Sequence, residues 1–356
     1  MIEGPPLSTL PTPMKDDKKF IHQMETAVPP SCEEDRTKLQ IDMNFNYRQA
    51  IGELIFAMVT CRPDISFPLI KLSQYSANPA RVHYEAVIEI FKYLHATKDE
   101  GITYWRETPN MSLPDLPLPT VHKDNYSPTS IKQEHEPTTL TSAVDADWAG
   151  DTTHRKSVSG IVIKLAGGSI LYKTKYQDTI ALSTTEAEFT AASDAGKSNL
   201  YVRSILDQIN LPQDKATILH IDNNGALLMG NAQQPTRRTR HMDLRKFSLL
   251  EWIKRDLILM QRISTSDNCA DVLTKQTGRQ LFYRHYDYIM GRVIPTYVKA
   301  LHNITQVNTI NALEYSQHLG CEDGLFSSSV QDFVFEEHGG DIMTTRIKGV
   351  VSPHNN

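Results

Sequence analysis

The chain has 356 residues, 40% of them hydrophobic and 22% charged, with a formal net charge of −5, which is enough for two modest domains with cores of their own. The negative balance excludes a globally basic nucleic-acid binder, so any contact with nucleic acid must come from a local patch. The four cysteines, Cys32, Cys61, Cys269 and Cys321, form no C-x-x-C pair and no apolar run approaches the roughly 18 residues of a spanning helix, which argues against a disulfide framework, a zinc cluster or a membrane protein.

Residues 1–45 mix proline with charge and show no period, so they read as an extended lead-in without a signal peptide. Residues 46–105 form a helical unit. Ile51, Leu54, Ile55 and Met58 recur at helical spacing, Arg62-Pro63-Asp64 interrupts, and Ile65, Leu69 and Leu72 resume until Asn78-Pro79. A third set, Val87, Ile90, Phe91 and Leu94, completes a small bundle of short amphipathic helices. Residues 106–141 are rich in Pro, Ser, Thr and charge, a composition that cannot bury a core and reads as a linker or insertion.

From 142 the pattern turns to strands. SAVDADW, SGIVIKL and SILYKTK are β-rich, and TIALS at 179–183 adds a short extra strand. A long helix follows from Ser183, where Ser183 and Glu186 make an S-x-x-E capping box and the first half is dominated by Ala and Gly. ATILHID is a strand, NNGALLMGN a short helix, residues 237–255 a basic helical segment, and LILMQRIST the fifth main strand. DNCADVLTKQ opens a final helical region running through GRQLFYRHYDYIM. Hairpins first and alternating strands and helices afterwards predict an α/β domain over 142–291, a mixed five-stranded sheet flanked by helices. Residues 292–356 carry no usable pattern and stay unassigned.

Four acids fall where such a sheet would gather them: Asp145 in the first strand, Glu188 early in the long helix, Asp222 ending the fourth strand and Asp271 at the start of the last helical region. Alone, each has an ordinary reading as a turn, a cap or a solvated carboxylate. Together they repel unless a cation neutralises them, which suggests oxygen-ligated Mg²⁺ or Mn²⁺. Asp147 competes with Asp145, and Glu186 with Glu188. Asp147 precedes the turn Trp148-Ala149-Gly150, and Glu186 is engaged by the capping box.

The motifs DADWAGD with RKSVSGIVIKLAGG, LSTTEAEFTA, HIDNNGALLMGN, TRHMDLRKF and TSDNCADVLTKQ, in that order, resemble the ribonuclease H domain of copia-type LTR retrotransposon Pol polyproteins. TPM at 12–14 and YRQAIGELIFAMVTCRPDISF resemble the end of that family's reverse transcriptase. The resemblance spans about residues 10–290. It implies a ribonuclease H-like fold and hydrolysis of RNA in RNA–DNA hybrids. By position, Asp145, Glu188, Asp222 and Asp271 would be the catalytic set, holding two Mg²⁺ ions with Mn²⁺ as the alternative. The implied partners are the hybrid and the remaining Pol segments, reverse transcriptase palm and integrase. The implied location is the cytoplasm, in a retrotransposon particle, or the nucleus. Departures from the family pattern are Phe189 where Tyr is usual, a longer linker, Lys-Phe-Ser at 246–248 where an aromatic–His pair is usual, and no Tyr-x-Asp-Asp polymerase motif, which excludes polymerase activity by this chain alone. Beside a phosphodiester-cleaving site, Arg237, Arg238, Arg240, His241, Arg245 and Lys246 become expected phosphate contacts rather than a solvated face. Two readings compete: a retrotransposon remnant that folds and binds nucleic acid without cleaving it, and another metal-dependent nuclease or phosphotransferase on the same fold.

Overall fold

The structure is a computed structural model that describes residues 11–15, 17–105, 137–149, 155–231, 244–292 and 342–344. The region expected as an extended lead-in contains two helices, α1 (Lys18–Thr26) and α2 (Glu33–Met43). The apolar positions of α1, Phe20, Ile21 and Met24, span little more than one turn and α2 buries none of its residues, which is why a search for periodicity passes over both. Asp17 accepts the Lys19 N–H to cap α1. Glu33, Glu34 and Asp35 occupy the first turn of α2, where the helix dipole favours them, and Asn44 closes it in the left-handed conformation. The three expected helices follow as α3 (Tyr47–Thr60), α4 (Ser66–Ser73) and α5 (Arg81–Ala96). Pro63–Ile65 form a 3₁₀ turn between α3 and α4. There Asp64, fully buried, accepts bonds from Arg62 Nη2 at 2.7 Å and from the Tyr93 hydroxyl at 2.6 Å.

Strand β1 (Thr103–Trp105) pairs antiparallel with β7 (Ile342–Thr344). The central sheet contains β2 (Thr141–Asp147), β3 (Val158–Leu165), β4 (Gly168–Tyr176), β5 (Thr217–Ile221) and β6 (Ile258–Arg262), in the order β4-β3-β2-β5-β6. The first three strands are antiparallel neighbours, whereas β5 runs parallel to β2, and β6 to β5. The crossovers are α6 (Thr184–Gln208) and the pair α7 (Asn224–Asn231) and α8 (Leu244–Lys254). This is the mixed, helix-flanked sheet expected from the sequence, and it is ribonuclease H-like. Two local expectations fail. Residues 179–183 form no strand, because their backbone groups are used elsewhere: Ala181 O accepts the Trp148 indole N–H, and Leu182 N donates to Glu186. The final helical region is broken into a 3₁₀ turn (Cys269–Leu273) and a separate helix α9 (Arg279–Ile289), with Gly278 at its N-cap.

Each face of the sheet has its own core. Val144 and Ala146 of β2 pack with Ala187, Ala191, Ala192 and Ala195 of α6. Gly196 leaves room for the Trp252 ring, which a Cβ there would meet at 2.8 Å. On the opposite face Ala143 and Val162 share one core with the 3₁₀ turn, with α9, and with Met24, Leu69 and Ile90 of the N-terminal helices. The helical unit therefore helps to cover the sheet directly, and isolated residues 142–291 would expose the part of that face it covers. By the two-residue side-chain period, Asp145 and Asp147 project to the Ala143 side.

Candidate active site

Parallel pairing of β2 with β5 stops at Ala143↔His220, so the strands part just before Asp145 and Asp222. The structure brings three of the four expected acids together here: Asp145, Glu188 and Asp222 each offer a carboxylate oxygen, and these lie within 4.8 Å of one another. Asp145 is 2% exposed and Glu188 5%. A bond from the Ala146 backbone holds Glu188, whose Oε2 is buried without a hydrogen-bond partner. Asp271 is not within that trio. It sits in the 3₁₀ turn rather than at a helix start, and joins the trio through Lys275, whose Nζ lies 3.1 Å from Asp271 Oδ1 and 3.5 Å from Asp145 Oδ2.

The competing acids lie elsewhere. Asp147, half-buried, lines a cavity of about 250 Å³ with Glu25, Lys71, Lys275 and Gln276, at the seam between α1, α4 and the sheet. Glu186 is engaged at the start of α6, though not in the reciprocal box expected: its carboxylate accepts Leu182 N at 2.9 Å, one residue before the cap, while Ser183 Oγ accepts Glu186 N at 3.2 Å.

The 3₁₀ turn contributes residues not singled out as site residues from the sequence. Asn268 Nδ2 donates to Val144 O at 2.9 Å and pins the turn to β2. The Thr274 hydroxyl donates to Asp145 Oδ2. Gly160, opposite Asp145 in the β2–β3 pair, permits this approach, since a Cβ there would meet Thr274 Cγ2 at 2.7 Å. Asn268, Thr274 and Lys275 all lie in TSDNCADVLTKQ, so the motif was visible although their roles were not.

The electrostatics follow from crowding. Burial, then the charges of Asp145 and Asp222, push the Glu188 carboxyl up to about 9. Burial and Asp145 push Asp271 up to about 7. Burial also raises Asp145, against the opposing pull of Lys275 and Thr274. Burial works against the charge on Lys275, but Asp145 and Asp271 hold it above the ordinary ammonium range. Among the described residues Lys275 is the cation paired with this cluster, and one lysine cannot balance four carboxylates. An orphaned buried oxygen beside two further carboxylates is a donor set that fits a hard divalent cation.

Of the expected phosphate contacts, Arg237, Arg238, Arg240 and His241 lie outside the described residues. Arg245 and Lys246 fall in α8, with their side chains outside the described residues. The described part of α8 buries Leu249 against α6 and exposes Lys254.

The chain is 31% identical over 236 residues to the Retrovirus-related Pol polyprotein from transposon TNT 1-94 of Nicotiana tabacum, and 27% identical over 236 residues to that from transposon RE2 of Arabidopsis thaliana. Its homologues include Pol polyproteins of plant copia-type retrotransposons. The matched stretch is 66% of this chain but only 16% and 14% of those two relatives. A Secreted RxLR effector protein 161 of Plasmopara viticola is 31% identical over 159 residues, covering 45% of this chain and 92% of that protein. No profile of a known protein family matches. Among solved structures, LC11-RNase H1 in complex with RNA/DNA hybrid aligns with 38% of this chain and 94% of its own at 16% identity and a TM-score of 0.30. The RNase H1 of Halobacterium salinarum NRC-1 does so at 15% identity and 0.28. The fold of the chain follows from its strand order rather than from this likeness. No helix among the described residues is long and apolar enough to cross a membrane.

Proposed function

We propose that this chain hydrolyses the RNA strand of RNA–DNA hybrids at the carboxylate cluster, with Asp145, Glu188, Asp222 and Asp271 as the catalytic acids. The observation that carries the reading is the trio of buried Asp145 and Glu188 with half-buried Asp222, with its unpartnered Glu188 Oε2, where β2 and β5 part. These acids would hold two Mg²⁺ ions, with Mn²⁺ as the alternative, and the metal when bound supplies Lewis-acid activation of water and stabilisation of the leaving 3′ oxygen.

The chain's own residues set up that chemistry. Thr274 fixes one oxygen of Asp145, and Asn268 anchors the turn that carries Asp271. Lys275 partly neutralises Asp145 and Asp271 and limits their repulsion while no cation is present. The hybrid would be held by its backbone through the basic segment, at Arg237, Arg238, Arg240, His241, Arg245 and Lys246, and its RNA strand distinguished by the 2′-OH. The remaining Pol segments, palm and integrase, would act with it as parts of a longer protein. The cytoplasmic particle or the nucleus is the proposed place of action.

The test is a cleavage assay with the full chain on a hybrid, duplex DNA and single-stranded RNA, in Mg²⁺ and in Mn²⁺. The expected result is cleavage of the hybrid alone. Cleavage of duplex DNA would favour a different nuclease. Binding of the hybrid with no cleavage in either metal would favour a remnant without activity.

A further inference from the structure

Lys275 stands between the carboxylate cluster and the cavity at the helical seam. Its Nζ lies 3.1 Å from Asp271 Oδ1 and 3.5 Å from Asp145 Oδ2. The same side chain lines the cavity of about 250 Å³, together with Asp147. The root of the residue is fixed. Lys275 N donates to Asp271 O at 3.1 Å, and the next side chain, Gln276, donates through Nε2 to Met14 O at 2.9 Å. The Lys275 side chain is 37% exposed, so packing does not lock its ammonium, which turns on a flexible four-carbon stem.

Asp147 is the acid that the carboxylate chemistry leaves over. It stands two residues beyond Asp145 on the same face of β2, about 7 Å along the strand. Among the described residues its carboxylate makes no ion pair. Lys71, the other ammonium lining the cavity, is buried and already held by Glu25 at 2.6 Å. Burial and then the charge of Asp145 raise the Asp147 carboxyl, while Lys275 and Lys71 oppose them, so Asp147 already lies in the field of both ammoniums. A half-buried carboxylate without a counter-charge is costly, and Lys275 is the described cation with the freedom to reach it.

An ammonium and a divalent cation cannot share the carboxylates of Asp145 and Asp271 without repelling each other. Resting on the metal-dependent reading above, we propose that Lys275 is a charge switch that clasps Asp145 and Asp271 in the cation-free chain and turns into the seam cavity to pair with Asp147 when a divalent cation binds. Asp147 is then a positioning residue: it receives the displaced ammonium and raises cation affinity without touching the cation. The helical unit supplies the rest of the device. Helices α1 and α4 wall the cavity and keep Lys71 on Glu25, which leaves Asp147 to Lys275.

The test is a calorimetric Mn²⁺ titration of the full chain as wild type, Asp147→Asn, Lys275→Gln and the double variant, with melting in chelator as the control on folding. The switch predicts that Asp147→Asn weakens Mn²⁺ binding about tenfold when Lys275 is present, and by no more than about threefold in the Lys275→Gln background. The loss common to both backgrounds is the through-space attraction of one carboxylate for the cation; the excess is the Lys275–Asp147 pair. Asp147→Glu, which keeps an acceptor in the cavity, should recover most of the wild-type affinity. Equal losses in the two backgrounds, or no loss in either, overturn the switch while leaving metal-dependent cleavage standing. A wild-type chain that binds no Mn²⁺ overturns both.

Discussion

Two buried charge clusters in this molecule have opposite designs. At the 3₁₀ turn between α3 and α4, Asp64 faces Arg62 through bonds of 2.7–3.2 Å, the Tyr93 hydroxyl adds another, and the remaining Arg62 donors go to Thr97. That cluster is electrically balanced and complete within the chain. At the divergence of β2 and β5, four carboxylates share one half-buried lysine, and a buried Glu188 oxygen has no partner. Fixed pairs hold a fold together, whereas uncompensated negative charge destabilises it, and the proposed function supplies a cation from outside to complete it. On the proposed reading the contrast separates structural from functional acids better than burial does, since Asp64 and Asp271 are both almost fully buried.

The sharpest break of that contrast is catalytic. Asp145→Asn and Glu188→Gln should each lower Mg²⁺-dependent hybrid cleavage by about a thousandfold, since a lost metal ligand removes several kcal/mol of transition-state stabilisation. Asp147→Asn and Glu186→Gln should retain substantial activity, because Asp147 faces the cavity at the helical seam and Glu186 is spent on the cap. Single-turnover rates decide between the neighbours.

The same acid-to-amide change at the balanced cluster should act on stability instead. Asp64→Asn leaves Arg62 buried without its counter-charge and should cost about 3–5 kcal/mol in denaturant unfolding of the full chain. A loss below about 1 kcal/mol would mean that the Arg62 network is not the keystone of the helical unit.

The acidic cluster should also show itself in the pH dependence of metal-free stability. Glu188 and Asp271 are raised in the folded state from ordinary values of 4.5 and 3.8 to about 9 and about 7. A raised folded value means that their contribution is fully present below the unfolded value and is lost as pH climbs through the folded one. Unfolding free energy in chelator should therefore fall between about pH 4 and pH 9, and Glu188→Gln should flatten the upper part of that decline. A profile that rises across this window would show that the carboxylates are compensated within the chain.

The smallest expected effect is at the cap of α6. Ser183→Ala should cost about 1 kcal/mol of stability and leave metal-linked stabilisation in place, because Ser183 serves only the Glu186 N–H.

The sequence made the sheet legible because both its strand alternation and its order of elements are periodic signals. It made Asp145, Glu188 and Asp222 legible as candidates because each falls at a strand end or a helix start. Helices α1 and α2 were hidden, since the apolar positions of α1 span little more than one turn and α2 buries none of its residues. The turn carrying Asp271 read as the opening of one helical region through residue 290; only the packing against Gly160 and the Asn268 bond to Val144 reveal a pinned 3₁₀ turn. The role of Lys275 needed three dimensions, because its ion pair to Asp145 joins residues 130 apart in the chain. The shared core between the N-terminal helices and the sheet was equally invisible, since amphipathic helices do not announce which surface they cover.

The most direct test of the claim that a cation from outside completes the acidic cluster is thermal unfolding of the full chain at pH 8 in millimolar Mg²⁺ and in chelator, for the wild type and for Asp145→Asn. Ligand linkage predicts a higher melting temperature in Mg²⁺ for the wild type, with most of that gain lost in the variant. Superimposable wild-type curves, or an equal gain in both proteins, would contradict it.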